Sequence, residues 1–357
     1  MLIEKISFIN VRKINNFSTT LSPTTTIITG KNGTGKTTIL EAIFFLLTTK
    51  SFRKKHNKSI IRNNRPSLQI KGSFFLNKNK PTTIKMFYDG QKKTIKKNNK
   101  PIRKTSELLQ HSNIVSVSPE EPDVLEIYKK DKIKYFDKII FKINPNYTKT
   151  IKNYNKLLKI RNNLLENNQP TSPWETQLAE FGIAVWKERE NTLKKLIEQQ
   201  KKTEKKITNK DQYDIKYIQT KKDQIKDYIV ELKKPTNPHK TTFGPHQDNL
   251  LFLFKKKPLQ ERGSQGEKKL FKYILKLTEA ELLQKENKTK PILLLDDFFA
   301  KLDDENIMKI FTFFHRKFQA IITTTTIKKT AIEKETKKAT TTTIKTIKLD
   351  DQTITLN

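Results

Sequence analysis

The spacing of apolar residues along this chain changes period twice. Up to about residue 118 short stretches alternate apolar with polar positions: 1–8, 67–76 and 82–88 place apolar side chains at every second residue, which predicts half-buried strands. Asp89-Gly90, between the last of these and the lysine-rich 91–100, predicts a hairpin turn. Two runs interrupt the alternation. Thr26-Ile27-Ile28-Thr29 reads as a short buried strand, and 38–47, rich in Ile, Leu, Phe and Ala, reads as a helix. A short helix over 105–110 and a strand over 113–117 complete this first stretch.

From about 123 to 234 the period becomes helical. Leu157 with Leu164 and Leu158 with Leu165 recur seven residues apart, and Leu178, Phe181, Val185 and Arg189 follow one stripe. The lysine-heavy 194–210 reads as a solvated helix and 235–238 as an exit linker. The last third alternates again: a strand over 250–254, a helix over 265–283 with Leu270, Ile274 and Leu277 on one face, a buried strand over 291–295, a helix over 303–314 and a strand over 319–323. The threonine runs at 323–326 and 340–343 read as strand ends and loops. The expected class is therefore α/β, with residues 1–122 and 239–357 forming one body and 123–238 a helical lobe inserted into it.

Composition narrows the function classes. The chain has 357 residues, 34% of them hydrophobic, enough for a sizeable core, while a mean hydropathy of -0.71 demands a very polar surface. No run approaches 18 apolar residues, which argues against a membrane-spanning helix, and the alternating N-terminus lacks a signal peptide's apolar block. Cysteine is absent, so disulfides and thiolate metal sites are excluded, a composition that fits the cytoplasm. Lysine and arginine number 72 against 37 acids, a formal charge of +35, which favours polyanionic partners through counterion release. The abundant Lys, Asn, Ile and Phe are also the residues of A/T-rich codons, so the charge permits a nucleic-acid partner without requiring one.

The chemistry is concentrated in three short segments. Gly30-Lys31-Asn32-Gly33-Thr34-Gly35-Lys36-Thr37 has the spacing G-x-x-x-x-G-K-[ST], which wraps backbone N–H groups around nucleotide phosphates. Lys36 supplies a point charge to the phosphates, and the Thr37 hydroxyl is the expected ligand of Mg2+. Second, Ile292-Leu293-Leu294-Leu295-Asp296-Asp297 is an apolar strand delivering two carboxylates to its C-terminal end. Asp296 is suited to hold Mg2+ and Asp297 to orient or deprotonate a water. Third, Ser264-Gln265-Gly266 opens a helix. It reads either as a simple N-cap or as a cap for a phosphate.

Together these segments resemble those of the RecF family of SMC-like ABC ATPases. The likeness extends over Phe8-Ile9-Asn10-Val11-Arg12, Lys50-Ser51-Phe52-Arg53, Ser118-Pro119-Glu120, Trp174-Glu175-Thr176-Gln177-Leu178-Ala179, Phe243-Gly244-Pro245-His246-Gln247-Asp248 and Ile322-Thr323-Thr324-Thr325. The resemblance implies an ABC-type ATPase head, a mixed sheet with a phosphate loop, carrying an inserted helical lobe. It implies ATP and Mg2+, with Lys36 and Asp297 catalytic, Thr37 and Asp296 on the metal, and Arg12 and residues 30–37 on the nucleotide. Ser264, Gln265 and Gly266 would then cap a γ-phosphate held by a second copy, giving an ATP-dependent homodimer. Ala300-Lys301-Leu302-Asp303 would lie at the dimer contact. DNA at gaps or single-strand/duplex junctions, companion mediators of the RecR and RecO type, and a place in DNA repair and the SOS response are the implied biology. The SMC-type tether and the hydrolysis-deficient ATP-binding protein are the alternatives.

The chain departs from the family pattern in several places. Ile127-Tyr128-Lys129-Lys130-Asp131-Lys132-Ile133 replaces a Gly-x-Pro-x-x-Arg-Arg stretch. No glutamine lies within 118–121, and threonines stand where many such ATPases place a histidine. Asp297 is one methylene shorter than the usual glutamate, which implies slow turnover. His246 reads as structural within its Gly-Pro turn.

Overall fold

The computed structural model describes residues 1–53, 57–75, 81–103, 108, 113–234, 237–300, 302–325 and 344–349. The expected helix over 105–110 (Leu108 apart), Lys301, the threonine run at 340–343, part of the 235–238 linker and the last residue of the 67–76 strand lie outside the described residues. The chain falls into two compact units, Met1–Asp123 with Thr203–Lys210 and Gln265–Asn357, and Val124–Lys202 with Asp211–Ser264.

The first unit opens with β1 (Leu2–Val11), β2 (Ile14–Thr20) and β3 (Thr25–Gly30), followed by α1 (Lys36–Thr48). Then come β4 (Leu68–Phe75), β5 (Pro81–Tyr88), β6 (Lys93–Lys97), β7 (Lys100–Pro101) and β8 (Ile114–Val117). One sheet is antiparallel, in the order β2-β1-β4-β5-β6-β7. Its alternation is the one read from the sequence: β4 buries Leu68, Ile70, Gly72 and Phe74 and turns the residues between them outward. Phe8 and Phe17 face each other across β1 and β2 with rings stacked at 5.1 Å. The turn after β5 follows its dipeptide: Gly90 has φ 92, and the Asp89 carboxylate accepts from the Gln91 and Lys92 amides at 2.8 and 2.7 Å.

In chain order the remaining elements are α2 (Lys129–Ile143), α3 (Tyr147–Glu166), α4 (Ser172–Thr208), β9 (Tyr213–Ile218), α5 (Ile225–Lys233), β10 (Asn249–Phe254), β11 (Lys257–Pro258) and α6 (Leu259–Arg262). After them come α7 (Gln265–Asn287), β12 (Ile292–Leu295), α8 (Asp304–Phe314), β13 (Gln319–Thr324) and β14 (Ile344–Leu349). The second sheet of the first unit is wholly parallel, in the order β14-β3-β13-β12-β8. Every residue of β12 and β13 is buried, which is why both read as uninterrupted apolar or threonine-rich runs rather than alternating ones. α1 shares one core with both sheets: Ile39, Leu40, Ile43, Phe45, Leu46 and Leu47 pack with residues of β1, β4 and β12. Asp303 caps α8 by accepting from the Asn306 amide at 2.8 Å.

The second unit holds α2, α3, most of α4, α5, α6 and a three-stranded antiparallel sheet ordered β11-β10-β9. It differs from the all-helical lobe ending at 238 that the sequence suggests. Residues 239–264 belong to it because β10 pairs with β9 along its whole length, from Asn249 opposite Ile218 to Phe254 opposite Tyr213. β9 carries only six residues and sits between lysine-rich segments, so its alternation gives a weak signal.

Buried polar groups organise this unit. Arg189, 2% exposed, donates to Asp137, Asp248 and the Pro245 carbonyl. His246 is bonded through both ring nitrogens, Nε2 at 2.8 Å from the Thr241 carbonyl and Nδ1 at 2.7 Å from the Tyr154 hydroxyl. A carbonyl only accepts, so Nε2 carries the proton and Nδ1 accepts from Tyr154. The ring is held neutral, and burial lowers its pKa below the ordinary histidine value.

The unfolded chain binds this proton at a higher pH than the folded one, so the contribution of His246 to stability is full above about pH 6.5 and is lost as pH falls below it. Melting temperature is expected to drop between pH 7.5 and pH 5.5, with a smaller drop in His246→Gln. Equal drops in the two proteins would remove His246 from the cause.

Candidate functional site

β3 delivers the chain to Gly30 at the C-terminal edge of the parallel sheet, and α1 leaves from Lys36. The loop between them depends on glycine at two places. Gly35 has φ 97, and a Cβ there would lie 2.8 Å from Ile14 Cδ1; a Cβ on Gly30 would lie 2.6 Å from the Leu349 carbonyl oxygen. No side chain caps α1 and no acid occupies its first turn, so its amide-rich, positive end is left for an anion. Lys36 Nζ arches back over the loop and donates to the carbonyls of Gly30 and Lys31, each at 2.7 Å. Burial lowers the Lys36 pKa, while Asp297 and Asp296 oppose that shift and Lys13 adds to it.

Asp296 follows directly on β12 and is 6% exposed. Its carboxylate gathers hydroxyls from three other elements. Thr37 of α1 donates to Oδ1 at 2.9 Å, Thr323 of β13 donates to Oδ1 at 2.6 Å, and Ser118, just past β8, donates to Oδ2 at 2.9 Å. Because β8, β12 and β13 run parallel and adjacent, their C-terminal ends bring these side chains to one edge beside the phosphate loop. Asp297 has φ 52, unusual for a non-glycine, and its amide donates to the same Thr323 hydroxyl at 3.0 Å. Thr323 therefore fixes both carboxylate-bearing residues.

The oxygen donors suit a hard cation. Thr37 and Asp296 offer one hydroxyl and one carboxylate, the set with which Mg2+ keeps several waters and completes its shell on phosphate oxygens. Among the described residues no group of three or more His, Cys, Asp or Glu side chains could hold a metal by itself. A cation here would thus depend on the phosphates.

The sequence-predicted residues do not all converge. Lys36, Thr37, Asp296 and Asp297 do. Arg12 sits in the turn between β1 and β2 with φ 54, and its guanidinium is engaged elsewhere: it donates to Glu41 of α1 at 3.0 and 2.7 Å and to the Ser59 carbonyl at 2.6 Å. Glu41 is fully buried and also accepts from Ser51 at 2.5 Å, so Arg12 clamps α1 from its flank. Ser264 precedes α7, while Gln265 and Gly266 form its first turn, and all are exposed. A Cβ on Gly266 would meet nothing within 4 Å, so packing within the chain does not call for glycine there.

α7 is tied to the site's loops. Lys269 donates to the Ala300 carbonyl, Lys272 pairs with Asp123, and Lys276 pairs with Glu121 at 3.3 Å.

Ser118 and Thr323 are the site residues that motif reasoning passes over. Each belongs to a segment already visible in the sequence, but a hydroxyl at the end of a strand has no pattern of its own. The only available signal was negative: no glutamine in 118–121 and threonine where a histidine is usual.

Comparison with known proteins shows the family of the chain. The model of the RecF/RecN/SMC N terminal domain family matches residues 2–348. The DNA replication and repair protein RecF of Lachnoclostridium phytofermentans is 32% identical over 326 residues, covering 85% of this chain and 87% of that protein. RecF of Clostridium botulinum strain Langeland is 32% identical over 341 residues, covering 92% and 93%. Among solved structures, the recombination mediator protein RecF with ATP, of the RecFOR pathway, superposes with a TM-score of 0.79 at 27% identity, covering 92% of each chain. The Smc head domain of Pyrococcus furiosus shares the fold at a TM-score of 0.51 and 18% identity.

Proposed function

The chain belongs to the RecF/RecN/SMC N terminal domain family and within it is a RecF-type protein of DNA replication and repair, and we propose that it is an ATP-gated DNA-binding protein. The observation that carries this reading is the Thr37 hydroxyl lying 2.9 Å from Asp296 at the mouth of the phosphate loop. Residues 30–35 and the open end of α1 would wrap the triphosphate, and Lys36 would neutralise its β and γ groups. Thr37 and Asp296 would hold Mg2+, which when bound withdraws charge from the phosphate oxygens. Asp297, its amide bonded to Thr323, would align a water and accept its proton, giving a weak and slow ATPase activity.

Exposed Ser264, Gln265 and the uncrowded Gly266 support a second copy approaching this turn, with ATP shared between the two. In this scheme ATP closes a homodimer on DNA and hydrolysis releases it. The formal charge of +35 fits contacts dominated by phosphate, so binding would be weakly sequence-dependent and salt-sensitive. Gapped duplex as the preferred DNA, and mediators of the RecR and RecO type as partners, complete the scheme. No helix among the described residues is long and apolar enough to cross a membrane.

Ser264→Arg tests the shared-nucleotide dimer. In sedimentation with ATP, Mg2+ and gapped duplex, wild type is expected to sediment as a dimer. The variant should stay monomeric while binding ATP within about threefold of wild type. A Ser264→Arg protein that dimerises normally would sink the scheme.

A further inference from the structure

The stretch that departs from the family pattern, 127–133, carries a surface with its own chemistry. Tyr128 is 86% exposed, far more than any other large hydrophobic side chain described. Its backbone is nonetheless fixed, since its carbonyl accepts from the Asp131 and Lys132 amides at 2.8 and 3.1 Å as α2 begins. The ring is thus held out from a rigid base and makes no hydrogen bond or ring contact among the described residues.

The next two residues, Lys129 and Lys130, are exposed and enter no ion pair among the described residues. The other cations of the segment are engaged: Lys134 pairs with Asp131 at 2.8 Å, and the buried Lys132 lies over the Phe252 ring at 5.8 Å. Both free lysines act electrostatically on His246, and that ring is neutral and committed to Thr241 and Tyr154. Of the nearby acids, Asp131 is hydrogen-bonded to Lys134 and feels Lys130 only at longer range, and Glu126 is exposed.

An aromatic face beside two unneutralised ammonium groups has the chemistry of a single-stranded nucleic-acid contact, in which a base stacks on the ring and flanking phosphates take the charges. We propose that Tyr128, Lys129 and Lys130 form such a contact and engage an unpaired base of single-stranded DNA next to a duplex. This rests on the DNA-binding reading above and adds the residues that would distinguish a junction from plain duplex. A cationic patch alone would serve a duplex backbone equally well; the exposed ring adds a stacking platform for a base that is free to leave its stack.

The test is titration of the full chain with ATP and Mg2+ against two labelled probes, a blunt duplex and the same duplex with an oligo-dT tail. Tyr128→Ala is expected to weaken binding to the tailed probe roughly tenfold and to leave the blunt probe within twofold. Tyr128→Phe should bind both as wild type does. The double variant Lys129→Ala/Lys130→Ala should lower the salt slope on the tailed probe by about 1.4. Matching melting temperatures would show that the fold is intact. Tyr128→Ala binding the tailed probe normally would overturn the proposal, as would equal weakening on both probes; in either case the surface suits a protein partner instead. Wild type binding neither probe would overturn the DNA-binding reading itself.

Discussion

Loss of ATP binding is the expected result of Lys36→Ala, with affinity falling roughly 100-fold, about 3 kcal/mol. Two effects add. The ammonium is the motif lysine at the end of the phosphate loop and would meet the anion at close range, where charge-assisted hydrogen bonds contribute most. It also fastens the loop by donating to Gly30 and Lys31 at 2.7 Å each, so its removal loosens the backbone that must wrap the phosphates. Calorimetric titration with ATP and Mg2+ reads the change directly. Because Lys36 is part-exposed, the melting temperature without nucleotide should stay within a few degrees of wild type. Binding within threefold of wild type would mean the loop does not hold the triphosphate.

The largest effect on stability is expected far from residues 30–37, at Asp248. This carboxylate, 1% exposed, accepts from Trp186 Nε1 at 3.0 Å, from Arg189 Nη1 at 2.6 Å and from the Tyr217 hydroxyl. Asp248→Ala takes an acceptor from three donors at once: the buried Trp186, the part-buried Tyr217, and a guanidinium that is 2% exposed and keeps the Pro245 carbonyl. Removing one partner of a buried ion pair costs about 3–5 kcal/mol, chiefly because the remaining charge stays desolvated and half-paired. Asp137 still reaches Arg189 at 3.0 Å, which places the expectation near the lower end of that range. The double variant Arg189→Met/Asp248→Leu should recover part of the loss, since it removes the desolvated guanidinium but leaves Asp137, 18% exposed, with the Tyr147 hydroxyl in place of its ion pair. Urea unfolding of the three proteins gives the comparison. A single variant within 1 kcal/mol of wild type would show that the network contributes little.

The two predictions draw on different kinds of information. Lys36 is found by counting along the chain, because a phosphate-binding nest is made by consecutive backbone groups and leaves its spacing in consecutive residues. Asp296 and Asp297 are found the same way, at the end of a run apolar enough to be a central strand. Asp248 is different: it sits in a recognisable Gly-Pro-His segment, yet nothing near it in sequence announces the Arg189 and Trp186 that need it. The inserted lobe likewise showed its helices through their stripes but concealed β9, whose six residues alternate too briefly to stand out.

What the sequence determined by itself was therefore local: the loop over residues 30–37, the acid-tipped strand β12, the antiparallel alternation of β1, β4 and β5, and the class of protein these imply. What only the tertiary structure decided was convergence. Thr37, Ser118, Asp296 and Thr323 meet because parallel strands far apart in sequence lie side by side, and strand order is set by the burial of whole faces rather than by any short motif. The same holds for Arg12, directed onto Glu41, and for Tyr128, left in water: burial depends on which surfaces come together, and no single stretch of chain contains that choice.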